Sequence, residues 1–226
     1  MAIPAFMLGR LALVPDLSGA LWLPDERTLV VADLHLEKGS AYAARGVFLP
    51  PYDSAATLAA LTAAILRHAP ARVIALGDSF HDREAQARIS ATNLAALRHL
   101  QTGREWIWVT GNHDPQIGAA MGGDTAETIS LAGVTLRHEP DARETGFEIA
   151  GHLHPAGKVR MRGRALRRRC FALSQKRCVM PAMGAYAGGL NLRDAAFRPL
   201  LGEGFSAHLL GDARLFRIDP RLLLPD

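Results

Sequence analysis

Trp-Ile-Trp-Val-Thr-Gly-Asn-His-Asp-Pro-Gln, Trp106 to Gln116, begins as an apolar, strand-like run and ends as a cluster of polar side chains. Gly111 and Asn112 alone would serve a turn, because glycine accepts any φ and asparagine tolerates the left-handed region. A turn does not require His113 and Asp114 as well. Polar groups at the carboxyl end of an apolar strand stand where α/β folds place ligand chemistry.

The same pattern recurs upstream. Thr28 to Ala32 reads as a strand ending at Asp33 and His35, and Arg72 to Leu76 as a strand ending at Gly77 and Asp78. Ser54 to Pro70 reads as a helix between them, rich in alanine and leucine, with Asp53 or Ser54 as cap and Pro70 as stop. A second helix is expected over Arg83 to Leu100, closed by Gly103. This alternation predicts a βαβαβ unit with helices packed outside a sheet. After Asp124 the texture shifts to short strands, among them Val134–His138, Phe147–His154, Arg167–Ser174, Lys176–Pro181, Ser206–Gly211 and Ala213–Ile218. They predict a second sheet packed on the first, within one domain spanning residues 1–226.

Composition bounds the reading. The chain has 226 residues, 49% of them apolar, enough for a sizeable core. A net charge of +4 suits an anionic partner but is also what solubility alone would need. Two cysteines, Cys170 and Cys178, are too few for a disulfide framework and do not have zinc-knuckle spacing, so reduced thiols and a cytoplasmic location are expected. The N-terminal stretch lacks a basic leader and is interrupted by Pro4, Gly9 and Pro15, and no run has the length of a membrane span.

The strand ends collect Asp33, His35, Asp78, Asn112, His113, His138, His152 and His154. Carboxylate, imidazole and amide groups bind divalent metals of intermediate hardness, and the absence of cysteine disfavours a structural zinc site. In Asp33-Leu34-His35 and His152-Leu153-His154, residues i and i+2 of an extended segment would face one side and converge. Isolated histidines, His68, His99, His208 and His81, read as structural or surface groups.

The order Ala-Asp-Leu-His, Leu-Gly-Asp-Ser-Phe-His-Asp, Thr-Gly-Asn-His-Asp, Leu-Arg-His and Gly-His-Leu-His, from Val31 to His154, resembles the calcineurin-like metallophosphoesterases. The resemblance implies a four-layer α/β/β/α sandwich, two central mixed sheets flanked by helices, with a dinuclear metal site at the strand ends. It assigns one metal to Asp33, His35, Asp78 and His154, and the other to Asp78, Asn112, His138 and His152. His113 then resembles the family's catalytic histidine. Two cations about 3.5–4 Å apart hold a hydroxide at neutral pH and clamp phosphoryl oxygens. The donor set admits two divalent ions, manganese first, with iron or zinc as alternatives. Many relatives carry an aspartate where this chain has His81, so the partner that orients His113 is left between Asp82 and Asp114, either of which also reads as a plain surface carboxylate.

Two further stretches bear on substrate. Lys38, Tyr42 and Arg45, in the long segment after the first donor pair, line either a phosphate path or a solvated loop. Arg167, Arg168 and Arg169 belong to a basic segment from Lys158 to Cys170, either a phosphate-neutralising edge or a solvated hairpin. With the Gly-Asp-Ser-Phe-His variant, the long segment resembles the bacterial ligase-associated DNA damage response endonucleases. That implies DNA phosphodiester cleavage in repair, with a DNA ligase and a helicase as partners. The alternatives are the same chemistry on a small nucleotide or a phosphoprotein, and a metal-binding scaffold without catalysis.

Overall fold

The computed structural model describes residues 5–202 and 204–226; Pro4 lies outside them. The first sheet holds seven strands in sequence order: β1 (Phe6–Leu8), β2 (Leu11–Pro15), β3 (Leu21–Leu23), β4 (Thr28–Val31), β5 (Arg72–Leu76), β6 (Glu105–Val109) and β7 (Asp124–Ala126). β1 to β4 run antiparallel to their neighbours, and β4 to β7 are parallel. The helices that connect the parallel strands are α1 (Lys38–Ala43), α2 (Asp53–His68), α3 (Ala85–Arg88) and α4 (Ala91–Gln101).

The second sheet contains β8 (Thr128–Leu131), β9 (Val134–Arg137), β10 (Phe147–Ala150), β11 (Pro155–Met161), β12 (Arg164–Leu173), β13 (Arg177–Val179), β14 (Leu190–Asn191), β15 (Ser206–Leu210) and β16 (Leu215–Ile218). Its order is β14-β11-β12-β13-β10-β9-β8, with β15 and β16 continuing from β12. Both sheets are mixed.

Strand periodicity explains why the sheets stack. Leu29 and Val31, Val73 and Ala75, and Trp106 and Trp108 meet Leu58, Leu61, Ile65 and Leu97 of α2 and α4. Their alternating neighbours Val30, Ala32, Ile74, Leu76 and Val109 meet Leu136, Ile149, Phe171 and Cys178 of the second sheet. Both faces of the central strands are therefore covered, which is why they read as continuous apolar runs. The far face of the second sheet, with Cys170, Ala172 and Val179, packs on Leu192, Phe197 and Leu201. That outer layer is thin, one four-residue helix α5 (Arg198–Leu201) and short 3-10 turns. Cys170 and Cys178 are free and buried, and no helix among the described residues is long and apolar enough to cross a membrane.

Three local expectations are corrected. The helix expected over Arg83 to Leu100 is two helices, because Ile89 is extended and the Ser90 side chain accepts the Asn93 N–H as a fresh N-cap. Neither Asp53 nor Ser54 caps α2, which starts after Tyr52. Their oxygens are engaged elsewhere: Asp53 accepts the Gly39 N–H, and Ser54 Oγ bonds Glu37. Finally, part of the segment left between a phosphate path and a solvated loop, Lys38 to Ala43, is helical.

Candidate metal centre

Every candidate donor sits just beyond a strand: Asp33 and His35 after β4, Asp78 after β5, Asn112 after β6, His138 after β9, and His152 and His154 between β10 and β11. The pairs converge, but not through extended backbone. Asp33, His35, Asp78, His152 and His154 all have positive φ, between 44° and 67°. Each such residue costs on the order of 1–3 kcal/mol, and such strain concentrates at functional sites. The left-handed kinks, rather than strand alternation, turn the side chains inward.

The donors form two groups. Asp33, His35 and His154 make one, with His154 Nε2 3.3 Å from Asp33 Oδ1 and 3.3 Å from His35 Nε2. Asp78, His138 and His152 make the other, with His138 Nε2 3.4 Å from Asp78 Oδ1, 3.1 Å from His152 Nδ1 and 3.0 Å from Asn112 Oδ1. Asp33 Oδ1 also lies 3.8 Å from His138 Nδ1, and the Asp33 carboxylate accepts the His152 N–H at 3.0 Å.

Close backbone approach makes this possible. A Cβ on Gly111 would lie 2.3 Å from Asp78 Oδ1, and one on Gly77, where φ is +69°, 2.5 Å from the His138 ring. Gly111 is thus required for contact with Asp78, not for a special φ.

His138 Nδ1 lies 3.0 Å from the Leu76 carbonyl oxygen. A carbonyl only accepts, so Nδ1 carries the proton and Nε2 faces the oxygens of Asp78 and Asn112. Burial disfavours charge on this ring, yet Asp78 and Asp33 together raise His138 to about 9. Asp78 faces Nε2 of the ring and Asp33 faces Nδ1, so the ring sits between two carboxylates. His35 is lowered, by burial first and then by His154, which keeps one ring nitrogen unprotonated. Asp78 is lowered despite burial, through His138 and the His113 N–H. Carboxylates, imidazoles and an amide oxygen converging in this way fit divalent ions of intermediate hardness.

His113 stands at the rim, its Nε2 3.9 Å from Asp78 Oδ2. Neither carboxylate expected to orient it does so. Asp82 is engaged by Arg88 at 2.8 Å, and Asp114 turns away to accept four backbone N–H groups, of Asp78, Ser79, Phe80 and Gly111. His113 Nδ1 instead donates to the main-chain oxygen of His81, at 2.5 Å. His81 is therefore not an isolated structural histidine. Its ring stacks on His113 at 5.3 Å and its Nδ1 lies 3.5 Å from His35 Nδ1. Burial and the nearby Lys38 push it down to about 4. Residue type gave no signal for this, since the orienting group is a carbonyl.

The other three isolated histidines stay outside. His68 pairs with Asp16, His99 is exposed on α4, and His208 is buried against Ser206 and Phe6. Of the expected substrate contacts, Lys38 lies near the site, its Nζ 6.0 Å from the Tyr42 ring, which is 6.0 Å from His81. The charges of Lys38 and Arg45 both act on His81. Arg167 pairs with Asp226 and Arg168 with Asp212, on the β11–β12 hairpin. Arg169 turns inward onto the carbonyls of Ala182 and Met183 and does not contribute an open cation. The exposed arginines of that hairpin also include Arg160, Arg162 and Arg164 at its tip.

Residues 26–160, which include every candidate donor, match the family described as calcineurin-like phosphoesterase. Among solved structures, a Pseudomonas putida nuclease, MPE, is 28% identical, with a TM-score of 0.74 over 95% of this chain and 99% of its own. YfcE, a phosphoesterase from E. coli, is 12% identical over 85% of this chain and 98% of its own, with a TM-score of 0.42. Comparison with curated protein sequences gave no match.

Proposed function

The chain belongs to the calcineurin-like phosphoesterase family, and on that premise we propose that it is a phosphodiesterase that cuts DNA at a dinuclear metal site. As a member it is a metal-dependent phosphoesterase. The observation that carries the finer reading is the pair of donor groups, each drawing on loops of both sheets, with His113 Nε2 at their rim.

In this reading Asp33, His35, Asp78 and His154 would hold one ion, and Asp78, Asn112, His138 and His152 the other; carboxylate, imidazole and amide donors admit manganese, iron or zinc, and manganese is the ion we propose. Such ions acidify a bound water and neutralise charge on phosphoryl oxygens. The chain supplies the rest. The His81 carbonyl fixes the His113 proton on Nδ1, so Nε2 is the atom offered to the substrate. Protonated there, His113 donates to the leaving oxygen or steadies charge on the phosphoryl group.

DNA as substrate is supported by the likeness to a nuclease along nearly the whole chain and by exposed arginines on the β11–β12 hairpin, which starts directly after His154. A role in DNA repair, with a DNA ligase and a helicase as partners, goes with that reading. Buried free thiols agree with a cytoplasmic, reducing setting. A second reading, a small nucleotide or phosphoprotein substrate, draws on a groove of about 820 Å³ beside the His113 loop, lined by Arg83, Gln86, Thr110 and Gln116 among others.

The deciding experiment is cleavage of end-labelled single-stranded and nicked duplex DNA by manganese-loaded protein, beside His113→Ala and a chelator control. Both controls are expected to suppress cutting, His113→Ala by about 10²–10⁴-fold with metal still bound. Undiminished turnover in that variant removes His113 from its role. Hydrolysis of an aryl phosphodiester without any DNA cutting moves the substrate to the second reading.

A further inference from the structure

The segment that joins the first donor pair to α2 presents aromatic surface to water. Phe48 is 86% exposed and Tyr52 69%, the highest exposures among the large apolar side chains besides Leu66. Isolated exposed apolar residues are ordinary, but here three rings, two cations and no carboxylate fall from Lys38 to Tyr52.

The segment is fastened at both ends to the donor loops. Gly39 N–H donates to Asp53 at 2.9 Å, and Ser54 bridges to the buried Glu37, two residues from His35. Tyr186 Oη donates to the Pro50 carbonyl at 2.8 Å. Two residues before Tyr186, the Gly184 N–H donates to the carbonyl of Asp33. The segment that carries the exposed rings is thus tied to the loops that carry the candidate donors. Toward it a series of rings leads inward, from Tyr42 to His81 at 6.0 Å and from His81 to His113 at 5.3 Å.

We propose that Phe48 and Tyr52 form a platform on which the unpaired nucleobases next to the scissile phosphodiester stack, while Lys38 and Arg45 neutralise the phosphates between them. The proposal rests on the DNA reading above. A ring face matches any base, whereas cations beside it match the backbone, and together they describe a nucleic-acid strand better than an acidic peptide, which has no use for open aromatic faces. Paired bases have their faces covered by neighbours, so the platform selects bases that are not in a duplex.

The test compares manganese-loaded wild-type protein with Phe48→Ala/Tyr52→Ala and with Phe48→Trp. Binding is measured by fluorescence anisotropy to a labelled thymidine oligomer and to the same backbone carrying abasic sites. Turnover of an aryl phosphodiester, which has no flanking bases, reports that the metal centre is intact. Wild type is expected to bind the base-bearing oligomer at least about tenfold more tightly than the abasic one. The double alanine variant loses that preference, Phe48→Trp keeps it, and aryl turnover is unchanged in both. A preference that survives in the double variant, or none in wild type, overturns the platform and leaves the nuclease reading standing. Failure of wild type to bind or cut any DNA, with aryl hydrolysis intact, overturns the nuclease reading and the platform with it.

Discussion

Asp114 follows His113 in the chain and serves a different purpose. Burial raises its carboxyl to about 6, with the charge of Asp78 adding to that, against the N–H groups that lower it. Four main-chain donors from two strand-end loops depend on this one carboxylate. Buried donors left without an acceptor cost about 1–3 kcal/mol each. Asp114→Ala is therefore expected to lose about 3 kcal/mol or more, lowering Tm by about 6–12 °C in thermal unfolding, while Asp114→Asn, which keeps one acceptor oxygen, loses less. The set of side chains that converge at the candidate centre was legible in the sequence, because each is a polar residue placed after an apolar run. Their left-handed backbone was not, since it arises from contacts between loops distant in sequence. Nor was the partner of His113, because any residue at position 81 brings a carbonyl. Asp114 misled for the opposite reason: adjacency in sequence suggested a shared task that its orientation excludes.

At the level of elements, the helices that cover the first sheet depend on polar ties at their ends. The last turn of α2 carries Arg67 and His68, and both bond Asp16 at the end of β2. Burial alone would raise Asp16, but the Ser18 N–H, Arg67 and His68 bring it to about 2 from an ordinary 3.8. A folded-state pKa below the unfolded one adds stability that is complete above about pH 4 and lost as pH falls to about 2. Asp16→Asn is expected to lower stability at pH 7 by about 1–2 kcal/mol, a figure kept small because Arg67 is half exposed. The gap from wild type should close as acid unfolding is followed from pH 4 to pH 2; a constant gap would show that the carboxylate charge is not what ties β2 to α2. The order of strands and helices from β4 to β6 was readable from apolar period and stop signals. The break at Ile89 was not, because Ser90, although a good cap, is also tolerated inside a helix and the apolar period runs across it.

On the scale of the molecule, Asp33, Asp78 and Asn112 follow strands of the first sheet, and His138, His152 and His154 follow strands of the second. The candidate metal centre is therefore assembled only where the sheets are docked, and ions bound there would favour the docked state by mass action. At a free manganese concentration about 100 times Kd this amounts to about 2.7 kcal/mol. Chelation is accordingly expected to lower Tm by about 5–10 °C, a shift that His138→Ala should largely abolish in the same calorimetric comparison. Two stacked sheets were legible from the change of texture after Asp124; the three N-terminal strands, short and broken by turns, were not. The passage from one sheet to the other takes a single residue, Glu127, between β7 and β8. A chain severed at that point would fall into two pieces, one with the candidate donors Asp33, His35, Asp78 and Asn112 and the other with His138, His152 and His154. Neither piece alone would carry the chemistry, so this fold lends itself to complementation: activity would report that two separately made fragments, or two molecules fused to them, have met.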